Sequence, residues 1–235
     1  MSPDIVYILK DINENIELKY SIRSVEENFK GHRIVFVGGS PRGLKPDIQI
    51  RTTQNNGKWD NAHNNIVSAC EDDRLTEEIY LFNDDFFVLR KTDELPVYTN
   101  GELGEFIAMV EKRTGETEFI KRLKRALKLL NENNLPTQNY EVHVPMRINR
   151  HKMSELLKKF PEAVAVRSIY GNYFGVPGVE VDKTGKMQDG VQQNSRRGLK
   201  KDRLLVSSTD ESFKGVVGYE LKRMFNRPSK YERTR

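Results

Sequence analysis

The sequence predicts an α/β protein: a mainly parallel sheet flanked by helices, followed by a less regular helical half. In the first hundred residues, apolar runs of four or five residues alternate with segments of helical periodicity. Such runs are long enough for buried strands and too short for helices. Strands separated by helices of this length form βαβ units, in which the strands are parallel.

The elements of the first half follow in a regular order. Ile5–Leu9 is an apolar run typical of a buried strand, and residues 18–29 carry apolar side chains at helical spacing, with Gly31 just past them as a helix stop. The candidates after this helix are strands at 33–37, 47–50 and 79–82 and a helix at 59–70.

The second half is predicted to be mostly helical. Apolar residues line one face of a helix over 119–130, and lysines and arginines line the other face. Residues 140–146 are strand-like, a short helix begins near Asn149, and a last strand and helix follow at 204–206 and 217–225. The polar composition of residues 185–203 predicts a mobile loop. We expect a single domain over 1–235 with two halves, 1–100 and 101–235.

Composition excludes several classes of protein. One cysteine, Cys70, excludes an intramolecular disulfide, and no apolar run approaches the roughly 18–20 residues of a membrane span. The N-terminus lacks the pattern of a signal peptide, so a cytoplasmic location is expected. Charge is segregated: residues 71–94 hold nine acids against three bases, and residues 214–235 hold seven bases against two acids. This suits a metal-using enzyme with an anionic substrate, although solvated helix faces explain it as well.

The sharpest feature is Phe82-Asn-Asp-Asp-Phe-Phe87, where two adjacent carboxylates follow a hydrophobic strand. Burying such a pair is costly unless a cation neutralises it or it lies at a cleft. Neighbouring side chains on an extended chain point in opposite directions. Asp85 is therefore a candidate ligand for Mg²⁺ or Mn²⁺, and Asp84 a candidate general base. A tight turn is the alternative explanation.

Other polar residues are candidates for the same site. Asp11 follows the first strand, and Asp210 follows the last one as a second candidate metal ligand. His143 suits a metal ligand, a phosphate contact or a general base, with a structural role as the alternative. The segment 58–65 is dense in amides at a helix start, where simple N-capping needs only one of them. In that segment Lys58, Asn61 and Asn65 are candidate ligand contacts.

These motifs, in this order, resemble the Stealth family of nucleotide-sugar-dependent transferases with a GT-A-like fold. The resemblance covers roughly residues 4–161 and is carried by four segments. They are Asp4-Ile-Val-Tyr7, Glu17-Leu-Lys-Tyr-Ser-Ile-Arg-Ser-Val-Glu26, Phe82–Phe87, and His143-Val-Pro with Met153, Leu156 and Phe160-Pro161. The first segment continues here as Ile8-Leu-Lys-Asp11, where the family has Trp-Val-Asp-Gly. The family's later arginine has no clear counterpart.

The resemblance implies a GT-A-type glycosyltransferase that moves a hexose from a nucleotide diphosphate sugar, such as a UDP-sugar, with Mn²⁺ or Mg²⁺. Residues 1–100 are then the nucleotide-sugar-binding half and 101–235 the acceptor-side half. Because the later arginine is missing, plain glycosyl transfer is preferred to the alternative, transfer of hexose 1-phosphate in capsule synthesis. The residues expected to contact the donor are Asp11, Arg23, Lys58, Asn61, Asn65 and Asn83.

The basic residues suggest a polyanionic acceptor. Arg196, Arg197, Lys200 and Lys201, with the helix at 119–130 and the tail at 227–235, are candidates for an acceptor track. Hydroxymethylated bases in phage DNA and teichoic acid or capsule polysaccharide both fit, in a bacterial or phage enzyme. A non-catalytic nucleic-acid-binding protein is the third hypothesis, but it leaves the two aspartates unexplained.

Overall fold

The computed structural model describes residues 2–180, 198–199 and 201–232. Most of the predicted loop at 185–203, with Arg196, Arg197 and Lys200, lies outside these residues. The strands are β1 (Asp4–Leu9), β2 (Ile34–Gly38), β3 (Ile48–Ile50), β4 (Glu78–Phe82), β5 (Phe86–Val88), β6 (Tyr98–Thr99), β7 (Met146–Asn149), β8 (Val179–Glu180) and β9 (Leu205–Ser207). The helices are α1 (Ile16–Asn28), α2 (Lys58–Glu71), α3 (Leu103–Thr114), α4 (Glu118–Glu132), α5 (Arg150–Lys159), α6 (Val166–Tyr173), α7 (Asp210–Lys214) and α8 (Val216–Met224).

The central sheet has five strands in the order β3-β2-β1-β4-β7. The first four are parallel, and β7 runs antiparallel to β4. All residues of β2, and most of β1 and β4, are buried, as expected for strands covered by helices on both faces. The predicted α/β fold with a mainly parallel sheet flanked by helices is confirmed.

The prediction of a strand over 140–146 is wrong. Only Met146 of that segment belongs to a strand, and β7 continues to Asn149. The backbone of His143 has a φ of 55°, in the left-handed region. Residues other than glycine rarely adopt this conformation, and it does not occur within a β-strand. The alternating apolar residues around His143 therefore line a loop.

The chain divides into two compact units. The first consists of residues 1–95, 143–151 and the C-terminal segment from 189, and the second of residues 96–142 and 152–188. The C-terminal segment thus belongs with the central sheet, so the first unit is assembled from three separate stretches of the chain.

The first unit has a second small sheet, in which β5 pairs with β9. Helices α7 and α8 pack beneath it around a buried cluster. The C-terminal residues then return to α1, where Arg23 Nε and Nη2 donate to the Glu232 carboxylate at 2.6 and 2.7 Å. Tyr231 Oη donates to Asp47 Oδ2 at 2.8 Å, which fixes the tail beside β3 as well.

The second unit is largely helical. Thr117 caps α4, whose buried residues include Ile120, Leu123 and Leu130, so the predicted amphipathic helix is present. Its basic face is matched by acids: Lys124 pairs with Glu111 and Glu116, Arg125 with Glu118, and Lys128 with Glu132. Within the described part of the chain, no helix combines the length and apolar character of a membrane span.

Candidate active site

The candidate site lies where the strand order of the sheet reverses. The chain moves from β1 outward through β2 to β3 and then returns to the other side of β1 as β4. In open parallel sheets, ligands bind in the crevice outside the carboxyl ends of the two strands at such a switch point. Here those ends lead into Lys10-Asp11 after β1 and Asn83-Asp84-Asp85 after β4.

The strand ends of β1 and β2 approach each other closely at this edge. Gly38 ends β2 with a φ of 96°, and a Cβ built on Gly39 would lie 2.2 Å from the Lys10 carbonyl oxygen. Only glycine fits so near another backbone. The Gly38-Gly39 pair therefore allows the backbone after β2 to lie directly against the end of β1.

The two aspartates of the acidic turn face different partners. Asp84 Oδ2 accepts a hydrogen bond from Asn15 Nδ2 at 2.6 Å, and Asp85 Oδ2 lies 2.8 Å from His143 Nε2. The imidazole of His143 also meets the Phe86 ring edge to face, at a centroid distance of 5.1 Å. Asp84 and Asp85 form a tight turn, which the sequence analysis gave as the alternative to an extended chain, and their carboxylates bond different partners.

Strand register explains why His143 reaches Asp85. In the antiparallel pair of β4 and β7, Met146 at the start of β7 lies beside Leu81 near the end of β4. The loop before β7 is therefore carried to the carboxyl edge of the sheet. The left-handed backbone at His143 then directs this residue to the acidic turn.

Register also brings the C-terminal segment to the site. Ser207 of β9 pairs with Phe86 of β5, so the next residue, Ser208, donates from its backbone N–H to the Asp85 carbonyl at 3.0 Å. Thr209 caps α7 through a capping box, and Asp210 is the first residue of that helix.

The acidic residues influence one another strongly. Burial raises the pKa of Asp84, the hydrogen bond from Asn15 lowers it, and the charges of Asp85 and Asp210 raise it further. Burial, together with the same three aspartates, raises the pKa of Glu17 to about 7, against the lowering effect of its hydrogen bond from Ser208. Burial thus favours the protonated form of both carboxyl groups relative to their exposed counterparts, up to about pH 7 for Glu17.

One atom of the site is left without a partner. Asp85 Oδ1 is buried and accepts no hydrogen bond, which is costly for a carboxylate oxygen. Within the described residues, no three Asp, Glu, His or Cys side chains converge as a ready-made metal site. Mg²⁺ and Mn²⁺ are commonly held by one or two carboxylates together with substrate phosphates. The free oxygen of Asp85 fits that kind of binding, and Asp210, the first residue of α7, is near enough for its charge to act on Asp84 and Glu17.

Four of the predicted donor contacts lie in the loops and at the helix start that follow the strands. Asp11 is exposed just past β1, with its backbone N–H bonded to Gln54 Oε1 at 3.0 Å. Lys58 is the first residue of α2, and its ammonium lies 5.3 Å from the Trp59 ring centroid. Asn61 bonds both backbone groups of Asn56, so its amide fixes the loop that precedes α2. Asn83 is half-buried at the end of β4.

Two other predicted donor contacts are engaged inside the fold. The Arg23 guanidinium is buried against Glu232 and also donates to the Phe225 carbonyl at 2.9 Å. Asn65 is buried, donates to the carbonyls of Leu9 and Val37, and accepts from Thr52. Their side chains hold elements together, so neither belongs to the site proposed below. Lys201, a predicted acceptor contact, pairs with Glu220 at 3.5 Å.

Sequence reasoning missed three residues that surround the acidic turn: Asn15, Glu17 and Ser208. A signal existed for two of them. Asn15 stands at the N-cap position before the helical pattern of α1, and Glu17 opens the segment that carries the resemblance to the Stealth family. Nothing in the sequence links Ser208 to this turn.

Comparison with known proteins adds little to this geometry. No protein-family model matches the chain, and no curated protein matches it significantly in sequence. Among solved structures, the chain is similar to an active-site mutant of LgtC, with 10% identity, a TM-score of 0.48, and coverage of 95% of this chain and 94% of that chain. A likeness at this level says nothing about activity. The resemblance to the Stealth family rests on the motifs alone.

Proposed function

We propose that the chain is a metal-dependent glycosyltransferase that uses a nucleotide diphosphate sugar. The observation that carries this proposal is the placement of Asp84 and Asp85 at the switch point of a parallel sheet, with one Asp85 oxygen buried and unpartnered. The other three Stealth-like segments, which lie in the family's order along the chain, support it as well.

In this proposal each side chain of the turn has its own role. Asp85 and Asp210 hold Mn²⁺ or Mg²⁺, which when bound offsets charge on the diphosphate leaving group. His143 fixes the orientation of the Asp85 carboxylate through their 2.8 Å contact. Asp84, with its raised pKa, accepts the proton of the acceptor hydroxyl as it attacks the sugar. Lys58 and Asp11 border the crevice on the donor side.

Transfer of hexose 1-phosphate remains the alternative reaction at the same site. For the acceptor, we propose a hydroxyl group on a polyanion, either a hydroxymethylated base in DNA or a cell-surface polysaccharide. The support is the excess of basic residues over 214–235. The face of α4 contributes less to such a surface than predicted, because acidic neighbours pair with Lys124, Arg125 and Lys128.

Calorimetry tests the proposal. UDP, UDP-glucose, UDP-GlcNAc and GDP-mannose are titrated with and without Mn²⁺ into the wild type and Asp85→Asn. We expect metal-dependent binding of one nucleotide sugar and its loss in the variant. The absence of binding to every donor, combined with salt-sensitive binding to plain DNA, would replace this function with nucleic-acid binding.

A further inference from the structure

The first turn of α1 contacts the acidic turn through Asn15. The Asn15 side chain does two things at once: its Oδ1 accepts from the Leu18 backbone N–H at 2.9 Å, and its Nδ2 donates to Asp84 Oδ2 at 2.6 Å. One amide therefore caps the helix and holds a carboxylate of the candidate site.

A second chain of hydrogen bonds runs from the same helical turn to Asp85. Glu17 Oε1 accepts from Ser208 Oγ at 2.9 Å, and the Ser208 backbone N–H donates to the Asp85 carbonyl at 3.0 Å. Ser208 is fully buried, so water does not compete for these bonds. Asp84 is thus held through its side chain and Asp85 through its backbone.

We infer that Asn15 and Glu17 are positioning residues for the two aspartates, a role that rests on the proposed function. Two neighbouring carboxylates repel each other, so each must be held in place if one is to bind a cation while the other faces the acceptor. Active-site groups need placement within about 0.5 Å, which requires supporting hydrogen bonds such as these. Both residues act through the aspartates, and neither is proposed to contact the sugar, the acceptor hydroxyl or the cation.

Substitution of Asn15 tests the first contact. Asn15→Asp keeps an oxygen for the helix cap but replaces the donor to Asp84 with a repelling carboxylate. We expect turnover of UDP-glucose hydrolysis with Mn²⁺ to fall about 10–100-fold, the usual cost of losing a supporting partner, with a smaller change in KM. Asn15→Ser keeps a capping hydroxyl and adds no charge, but it also loses the donor to Asp84. We expect its turnover to be lower than that of the wild type as well.

Thr117→Ala is the matched control for helix capping. It removes the N-cap of α4, to which the Ile120 backbone N–H donates, far along the chain from the acidic turn. We expect a lower melting temperature with unchanged turnover. If both Asn15 variants keep wild-type turnover, or if Thr117→Ala loses as much turnover as they do, the positioning role of Asn15 is overturned.

The hydrogen bond between Glu17 and Ser208 is tested by comparing a substitution that keeps it with two that remove it. Glu17→Gln retains the oxygen that accepts from Ser208, whereas Glu17→Ala and Ser208→Ala remove the bond. We expect Mn²⁺-dependent UDP binding close to wild type in Glu17→Gln and weakened about tenfold or more in the other two. Equal weakening in Glu17→Gln and Glu17→Ala would show that the charge of Glu17 matters and would overturn its positioning role.

The wild type separates this inference from the proposed function. Absence of Mn²⁺-dependent UDP binding in the wild type contradicts the proposed function itself. Wild-type binding that is unaffected by every Asn15, Glu17 and Ser208 variant leaves the function standing and contradicts only the positioning roles.

Discussion

Asp85 shares one carboxylate oxygen with His143 and keeps the other buried without a partner. An unsatisfied buried acceptor costs on the order of 1–3 kcal/mol, and more when it is charged. The free protein tolerates this cost at one atom of the site. A bound cation would recover it, so ligand binding and stability should be coupled at Asp85.

The first prediction concerns this coupling. Mn²⁺ with UDP should raise the melting temperature of the wild type, since saturation at about 100 times Kd adds about 2.7 kcal/mol to the free energy of unfolding. Asp85→Asn should abolish the rise, whereas Asp93→Asn, an exposed carboxylate away from the acidic turn, should keep it. Differential scanning fluorimetry measures both, and an equal rise in all three proteins would contradict the assignment.

Glu17 gives a second prediction at the scale of a residue. Burial raises its pKa to about 7, above the value of about 4.5 expected when unfolded. Between these values the folded protein holds a proton that the unfolded chain has released, so the free energy of unfolding falls as pH rises through this window. Glu17→Gln should flatten that fall. Urea unfolding in EDTA at pH 5 and pH 8 measures the difference, and identical pH dependence in both proteins would refute it.

The elements differ in how far the sequence predicts them. The strands β1, β2, β3 and β4 and the helices α1, α2, α4, α5 and α8 follow from apolar runs and helical spacing, because burial imposes those patterns. The shortest strands give weak patterns: of the three-residue strands, β3 and β9 were predicted and β5 was not, and the two-residue β6 and β8 were not predicted either. The segment before β7 alternates like a strand, but its left-handed residue, His143, depends on tertiary contacts.

The sequence singles out the acidic turn and names His143 and Asp210 as candidates by residue type, but it does not show which distant residues contact the turn. Asp84 and Asp85 stand out because two charges follow a buried strand directly. Asn15 contacts Asp84 across 69 positions, and Ser208 contacts Glu17 across 191 positions. Such partners depend on strand register and loop geometry, which local patterns do not encode. Asn65 was predicted to contact the donor because it lies in a segment rich in amides. In the structure its side chain instead donates to backbone carbonyls inside the fold.

A third prediction concerns the contact between α2 and the sheet. Asn65 donates to the carbonyls of Leu9 and Val37, at the ends of β1 and β2. Asn65→Ala removes both bonds and the bond from Thr52, and although the Leu9 carbonyl keeps Gln54 Nε2 and the Gly39 N–H as donors, the variant should lower the free energy of unfolding by about 1–3 kcal/mol. Asn64→Ala, at the exposed neighbouring position, should change it by less than about 0.5 kcal/mol. Urea denaturation compares the two, and equal losses would contradict the assigned role.

At the scale of the whole molecule, the C-terminal residues help hold the first unit together. Burial alone would raise the pKa of Glu232, but hydrogen bonds from Arg23, the Ser229 backbone N–H and Lys19 lower it to about 2. The ion pair joins α1 to the end of the described chain. Arg23 would be left buried and unpaired without it.

The fourth prediction follows from this lowered pKa. The stability that Glu232 contributes is present above pH 4.5 and is lost as pH falls toward 2. Glu232→Gln should therefore weaken the protein at pH 7 by about 2 kcal/mol or more and reduce the loss of stability in acid. Glu162→Gln, an exposed residue, is the control. Thermal unfolding between pH 2.5 and pH 7 provides the measurement, and parallel curves for the wild type and Glu232→Gln would contradict it.

The three-part first unit has a consequence for synthesis of the protein. The ion pair between Arg23 and Glu232 cannot form until Glu232, 209 positions later, has been synthesised. At about 5–20 residues per second, this takes roughly 10–40 s on the ribosome. Within that time the emerging sheet lacks β7 until residues 146–149 are made, and β5 lacks β9 until residues 205–207 are made. Contacts so distant in sequence also slow folding after release. Ribosome-bound chains halted before residue 205 should therefore remain open to protease within residues 1–95, and they should bind chaperones until the last strand emerges.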